Sequence, residues 1–266
     1  MKRTGCLSLV ILVLAACATS PLGRKRVLLF GDSTMDSMGV QSFEEIKKKT
    51  PIESDPKINA YVKCIAGPLI GNSGSRIPVS KWEVVVFKDP SPNAFALPGG
   101  KIGVHTGMLP VARTADQLAA VLGHEVGHVL AQHGNERVSQ GELAALLMGV
   151  VDISLKKMDP DQKKLLLGGL GVGLQFGALL PFSRSQESEA DLIGLRLMTR
   201  SGFNPKESVE LWKNMKASAG GGGPEWLSTH PSPDSRIQIL ESEATKVEAE
   251  WNSVRERGNL PRCSRI

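Results

Sequence analysis

His124-Glu125-Val126-Gly127-His128 sits inside a run of helical periodicity that begins at Thr114. Residues four apart on an α-helix lie one turn apart on the same face, so both imidazoles can reach one metal ion. Glu125 projects beside them, where a carboxylate can take a proton from a water held at that metal. The pentapeptide is short enough to occur in helices that bind no metal, so its meaning rests on what accompanies it. Two later segments accompany it here, Glu187-Ser188-Glu189-Ala190-Asp191 and Thr229-His230-Pro231.

A catalytic zinc ion takes three protein ligands and keeps one position open for water. His124 and His128 supply two. The third must be a histidine or a carboxylate that the fold brings close. Nine residues separate His133 from His124, about 900° of rotation along a continuous helix, which faces the opposite side. We therefore expect His133 on the surface. Glu187 and Glu189 both remain as candidates.

The order of these motifs is informative. HExxH is followed by Ser183-Arg184-Ser185-Gln186-Glu187-Ser188-Glu189-Ala190-Asp191, then by His230-Pro231 and Arg236. That pattern resembles the gluzincin peptidases of the HtpX and CAAX prenyl endopeptidase type, and most of all their soluble, periplasmic BepA-like outer-membrane lipoprotein relatives. The resemblance runs from Asn93 to Arg236. It implies Glu187 as third ligand beside His124 and His128, one Zn2+ per chain, and Glu125 as the catalytic base. Asp191, one turn beyond Glu187, would hold a ligand histidine, while Glu189 points elsewhere as a solvated charge. His230 would lie near the metal, in the open position at rest or against the oxyanion, with Arg236 as a second oxyanion donor. Asn93-Ala94-Phe95-Ala96 would be an edge strand that pairs with an extended polypeptide substrate.

The activity so implied is zinc-dependent hydrolysis of peptide bonds in misfolded or misassembled envelope proteins, alongside the outer-membrane assembly machinery. The alternative is an assembly chaperone whose metal site is gated or idle. Residues 27–33, Val-Leu-Leu-Phe-Gly-Asp-Ser, imitate the nucleophile block of GDSL-type esterases. Those need a late Asp-x-x-His pair, and no histidine here has Asp three residues before it, so Ser33 is rejected as a nucleophile.

The N-terminus carries an address. Lys2 and Arg3 precede an apolar run, Leu7 to Ala16, too short to span a bilayer and ending in small residues. Leu14-Ala15-Ala16-Cys17 resembles a bacterial lipobox, which implies lipidation at Cys17 and a membrane anchor. With Ala18 next, and given a Gram-negative source, the expected location is the outer membrane, facing the periplasm. The expected organisation is a signal peptide at 1–16, a lipid-anchored tether at 17–40 and a zinc metalloprotease domain at 41–266. The net charge of +5 falls by two when Lys2 and Arg3 leave, and a surplus this small does not argue for nucleic acid. Cys64 and Cys263 then remain, and an oxidising compartment favours a disulfide between them.

The expected fold is α+β: a mainly helical, zincin-like domain with a small antiparallel sheet beside the HExxH helix. Residues 41–49 and 56–69 read as helices, and 82–87, 93–97 and 101–105 as strands. Thr114 and Gln117 form a capping box that opens a helix reaching about Val138. Glu142 to Leu155 and Gln162 to Leu180 also read as helical, with an apolar hairpin over Leu165 to Phe182. Ser183 and Gln186 cap a helix that ends at Gly202, and Asn204-Pro205 starts another. Gly220 to Gly223 is a loop, and Ser232-Pro233 opens a last long helix towards Trp251.

Overall fold

The computed structural model describes residues 17–154, 182–218, 228–230, 234–258 and 260–264. The expected signal peptide, the apolar hairpin up to Pro181 and the glycine loop at 220–223 lie outside them. The chain divides into two compact units. Among the described residues, one unit holds 17–32 and 132–154, and the other holds 33–131 and everything from 182 onward.

In the smaller unit, β1 (Cys17–Thr19) pairs antiparallel with β2 (Lys25–Val27). The expected tether is thus a hairpin, closed by Gly23 at φ 90°. Helix α4 (His133–Ser154) shares this unit. Arg24 grips Glu136 through two 2.6 Å hydrogen bonds, and Ser139 Oγ accepts from the Leu29 amide at 2.8 Å. Arg26 donates in turn to the Gln132 side chain at 3.1 Å.

Helix α1 (Asp32–Lys49), which belongs to the larger unit from Ser33 on, is followed there by α2 (Pro56–Gly71). Helix α1 starts well before Gln41, inside the stretch expected to be tether, because Met35, Gly39 and Phe43 fall at helical spacing on a buried face. Asp55 caps α2 by accepting from the Lys57 amide at 2.7 Å, with Pro56 as the first helical residue.

A three-stranded sheet follows, built from β3 (Glu83–Phe87), β4 (Ala94–Leu97) and β5 (Lys101–His105) in the order β3-β5-β4. The strands fall where the sequence places them, but the sheet is mixed rather than antiparallel. β4 and β5 form an antiparallel hairpin across the Gly99-Gly100 turn, whose φ angles of 80° and 75° favour glycine. β3 takes the other side of β5 and runs parallel to it. Among the described residues β4 is consequently an edge.

Helix α3 (Ala115–Leu130) carries the HExxH residues through the middle of the core. Leu118, Val121, Leu122 and Val126 are fully buried along it. Thr114 Oγ1 accepts from the Gln117 backbone amide at 3.1 Å, whereas the Gln117 side-chain Oε1 accepts from the Arg113 backbone amide rather than from that of Thr114, so the expected capping box is only half made. The helix stops eight residues short of Val138. Gln132 adopts φ 53°, and α4 begins afresh at His133. Next come α5 (Arg184–Arg200), α6 (Glu207–Ser218), α7 (Asp234–Lys246) and α8 (Glu248–Glu256). The expected last helix is thus two, divided at Val247. No helix among the described residues is long and apolar enough to cross a membrane. The α+β reading of a mainly helical domain with small sheets holds.

Cys64, in α2, is disulfide-bonded to Cys263 in the C-terminal tail, with the Cα atoms 5.7 Å apart.

Candidate metal centre

Two helices build the centre. α3 supplies His124, Glu125 and His128, and α5 crosses it with Glu187 in its first turn. α5 starts where it does because Ser183 and Gln186 close a true capping box: the serine hydroxyl accepts from the Gln186 amide, and the Gln186 side chain accepts from the Ser183 amide. The helices approach closely because Gly123 faces Gly194 and Gly127 faces Ala190. A Cβ on Gly194 would come within 2.7 Å of the Gly123 and His124 backbone. His230 joins from the segment after α6.

His124, His128, Glu187 and His230 each offer one ligand atom, and the four atoms lie within 4.8 Å of one another. The Nε2 atoms of His124 and His128 are 3.0 Å apart, and His230 Nδ1 is 3.2 Å from His124 Nε2. Glu187 lies 3.4 Å from His128 Nε2, 3.5 Å from His124 Nε2 and 3.0 Å from His230 Nδ1. Ligand bonds of roughly 2.0–2.1 Å around a tetrahedral zinc give edges of about 3.3 Å, so the set fits one such ion. Its chemistry fits as well. His124 Nδ1 is 2.9 Å from Asp191 Oδ1, and donating there leaves Nε2 a bare lone pair. Acceptors that converge in a buried space call for a cation.

The electrostatics agree. Burial works against a charged His124, yet Asp191 and Glu187 outweigh it and push its pKa up to about 9. Burial holds His128 well below the usual histidine value against the pull of Glu187, and charge on the neighbouring rings adds to this. Burial opposes ionisation of Glu187, but hydrogen bonds from the three histidines hold it far below the carboxylate range. The negative charge of Glu187 and Asp191, which raises the His124 pKa, also favours a dication among the same atoms.

Arg236 completes the surround, though not as an oxyanion donor. Its Nε and one NH2 reach Asp191 at 2.6 and 2.7 Å, and the other NH2 reaches Glu187 at 2.7 Å. With the side chain 2% exposed, the guanidinium is committed to the two carboxylates and holds them in place. Asp191 stands where the sequence expects it, against His124. Burial again disfavours its charge, but Arg236 and His124 keep its pKa lowered. Glu125 is buried beside the cluster, with Oε1 3.6 Å from His230 Nε2.

Two expectations are overturned by burial. His133 is fully buried, because the break at Gln132 voids a rotation count along one helix. Glu189 is 4% exposed and outside the ligand set, so it is no solvated charge. On β4, Phe95 joins an aromatic cluster with Phe43, Phe87 and His105, while Ala94 belongs to the main core. Phe182 escaped the sequence reading altogether. Its ring lies 4.0 Å from that of His128 and 5.4 Å from that of His230, and nothing in its spacing to either histidine announces this.

Residues 56–244 match the model of peptidase family M48. This chain belongs to family M48. Among similar M48 proteins are the mitochondrial metalloendopeptidases OMA1 of Schizosaccharomyces pombe, 36% identical over 83% of this chain and 64% of that protein, and of Saccharomyces cerevisiae, 35% identical over 82% and 64%. The beta-barrel assembly-enhancing protease of Yersinia pestis is 30% identical over 79% of this chain and 44% of its own length. The chain thus spans less than two thirds of these relatives. The match is to the family as a whole and does not single out the HtpX or CAAX branch. It also corrects the expected address: several similar M48 proteins are named mitochondrial and come from eukaryotes, which overturns the outer-membrane, periplasm-facing location.

Proposed function

We propose that this protein is a zinc metalloendopeptidase that hydrolyses polypeptide segments held in extended conformation. One observation carries the reading: His124, His128, Glu187 and His230 converge as buried acceptors on one cation-sized space, with the Glu125 carboxylate alongside but outside the set. Zinc, when bound there, lowers the pKa of its water towards neutrality and polarises the scissile carbonyl. The Glu125 carboxylate takes the water proton and passes it to the leaving amine. Asp191 and Arg236 keep His124 and Glu187 aimed at the ion. His230, which stands with the three ligands, would donate to the developing oxyanion. The outer edge of β4, beside α3, offers its backbone to the substrate strand, and residues 93–96 form that docking edge.

The similarity to a protease named for beta-barrel assembly supports misassembled membrane proteins as the narrower substrate class. Glu125→Gln tests the reading. The variant should retain zinc yet cleave an unfolded protein at least about 100-fold more slowly, the usual share of a general base. Cleavage at the wild-type rate would remove Glu125 from the chemistry. A zinc-loaded wild type that cleaves no unfolded protein would leave the chaperone reading in its place.

A further inference from the structure

Arg236 is a buried cation, 2% exposed, gripping two buried carboxylates. Its Nε and both terminal nitrogens donate to those carboxylates. Its Cζ lies over the Trp212 ring, 4.2 Å from the centroid. Trp212 is itself 2% exposed and projects from α6, an element that supplies no ligand. It also lines, with His124, Asp191, Ala120 and Leu240, a cavity of about 10 Å³ behind the metal-facing histidine.

We propose that Trp212 is a positioning residue for the metal centre, acting through Arg236. An aromatic ring lying over the guanidinium attracts the cation and resists its displacement out of those hydrogen bonds. The ring also replaces part of the hydration that Arg236 loses on burial, so the cation stays between Asp191 and Glu187 rather than withdrawing to water. Displacing Arg236 would release Glu187 Oε2 and both Asp191 oxygens together, and with them the orientation of His124 Nδ1. A single stacking contact therefore governs a metal ligand and the partner of another. The inference rests on the zinc site proposed above.

The test is zinc affinity of the full chain, measured by competition with a chelator. The wild type must first bind zinc; failure there overturns the metal site itself, and this inference with it. Given binding, Trp212→Leu should weaken zinc about tenfold, at the lower end of what outer partners of a metal ligand contribute, and Trp212→Phe should recover most of the loss. Met215→Ala, a fully buried change on the same helix, should lower thermal stability and leave zinc affinity alone. Fluorination of the Trp212 indole drains its π-face without altering its shape, and should weaken zinc about two- to threefold in a chain that folds as the wild type does. Unchanged affinity on fluorination, or equal weakening by Met215→Ala and Trp212→Leu, would overturn the proposal.

Discussion

Asp191 bears two connections at once. Its Oδ1 faces His124 Nδ1 at 2.9 Å and also receives Arg236, while Oδ2 takes the Arg236 Nε at 2.6 Å. Asn at this position would keep the shape but lose the charge, and would turn an amide donor towards one of these donors. We expect Asp191→Asn to weaken zinc binding about 10- to 100-fold, read by chelator competition; wild-type affinity would contradict the role. At this scale the sequence was generous wherever spacing governs. His124 and His128 follow from the helical period, and Glu187 and Asp191 share a face of α5 for the same reason. Arg236 was legible as a member of the site but not in its role, because a residue's role depends on which charges the fold sets opposite it. Phe182 and Trp212 were silent, since stacking between distant segments leaves no local pattern.

The crossing of α3 and α5 is what assembles the ligands, and it depends on small residues more than on any bond. Gly123, Gly127, Ala190 and Gly194 let the two backbones approach where side chains would hold them apart. Gly194→Ala would press a methyl group against the α3 backbone at 2.7 Å, which no rotamer change relieves. We expect a loss of about 1–3 kcal/mol in unfolding free energy, seen by denaturant titration, together with weaker zinc binding as Glu187 is pushed off its histidines. A variant as stable as wild type would show that the helices need no such approach. Element positions were largely readable: all three sheet strands, the start of α2 and the cap of α5 came from turn residues and periodicity. The break at Gln132 was not, because a glutamine gives no sign in its residue type of a backbone φ of 53°. Nor was the order β3-β5-β4, since alternation tells where a strand is but not which neighbour it takes.

On the scale of the molecule, the bond between Cys64 and Cys263 closes a span of 199 residues that contains the entire metal centre. Loops this long gain most from closure, by restricting the unfolded chain. Replacing both cysteines with serine should lower unfolding free energy by about 2–5 kcal/mol under non-reducing conditions, with little difference from wild type once a reductant is present. Equal stability without reductant would mean the bond contributes nothing. Fold class and metal chemistry were legible from the chain because both are set by packing and coordination. The cellular address was not: a leader is read by receptors, so no packing rule ties Leu14-Ala15-Ala16-Cys17 to one compartment. The central claim is that a carboxylate from α5 completes a zinc site begun by two histidines of α3, and zinc content after dialysis tests it most directly. The wild type should hold about one zinc ion per chain and Glu187→Ala far less; a Glu187→Ala protein that kept a full equivalent would contradict it.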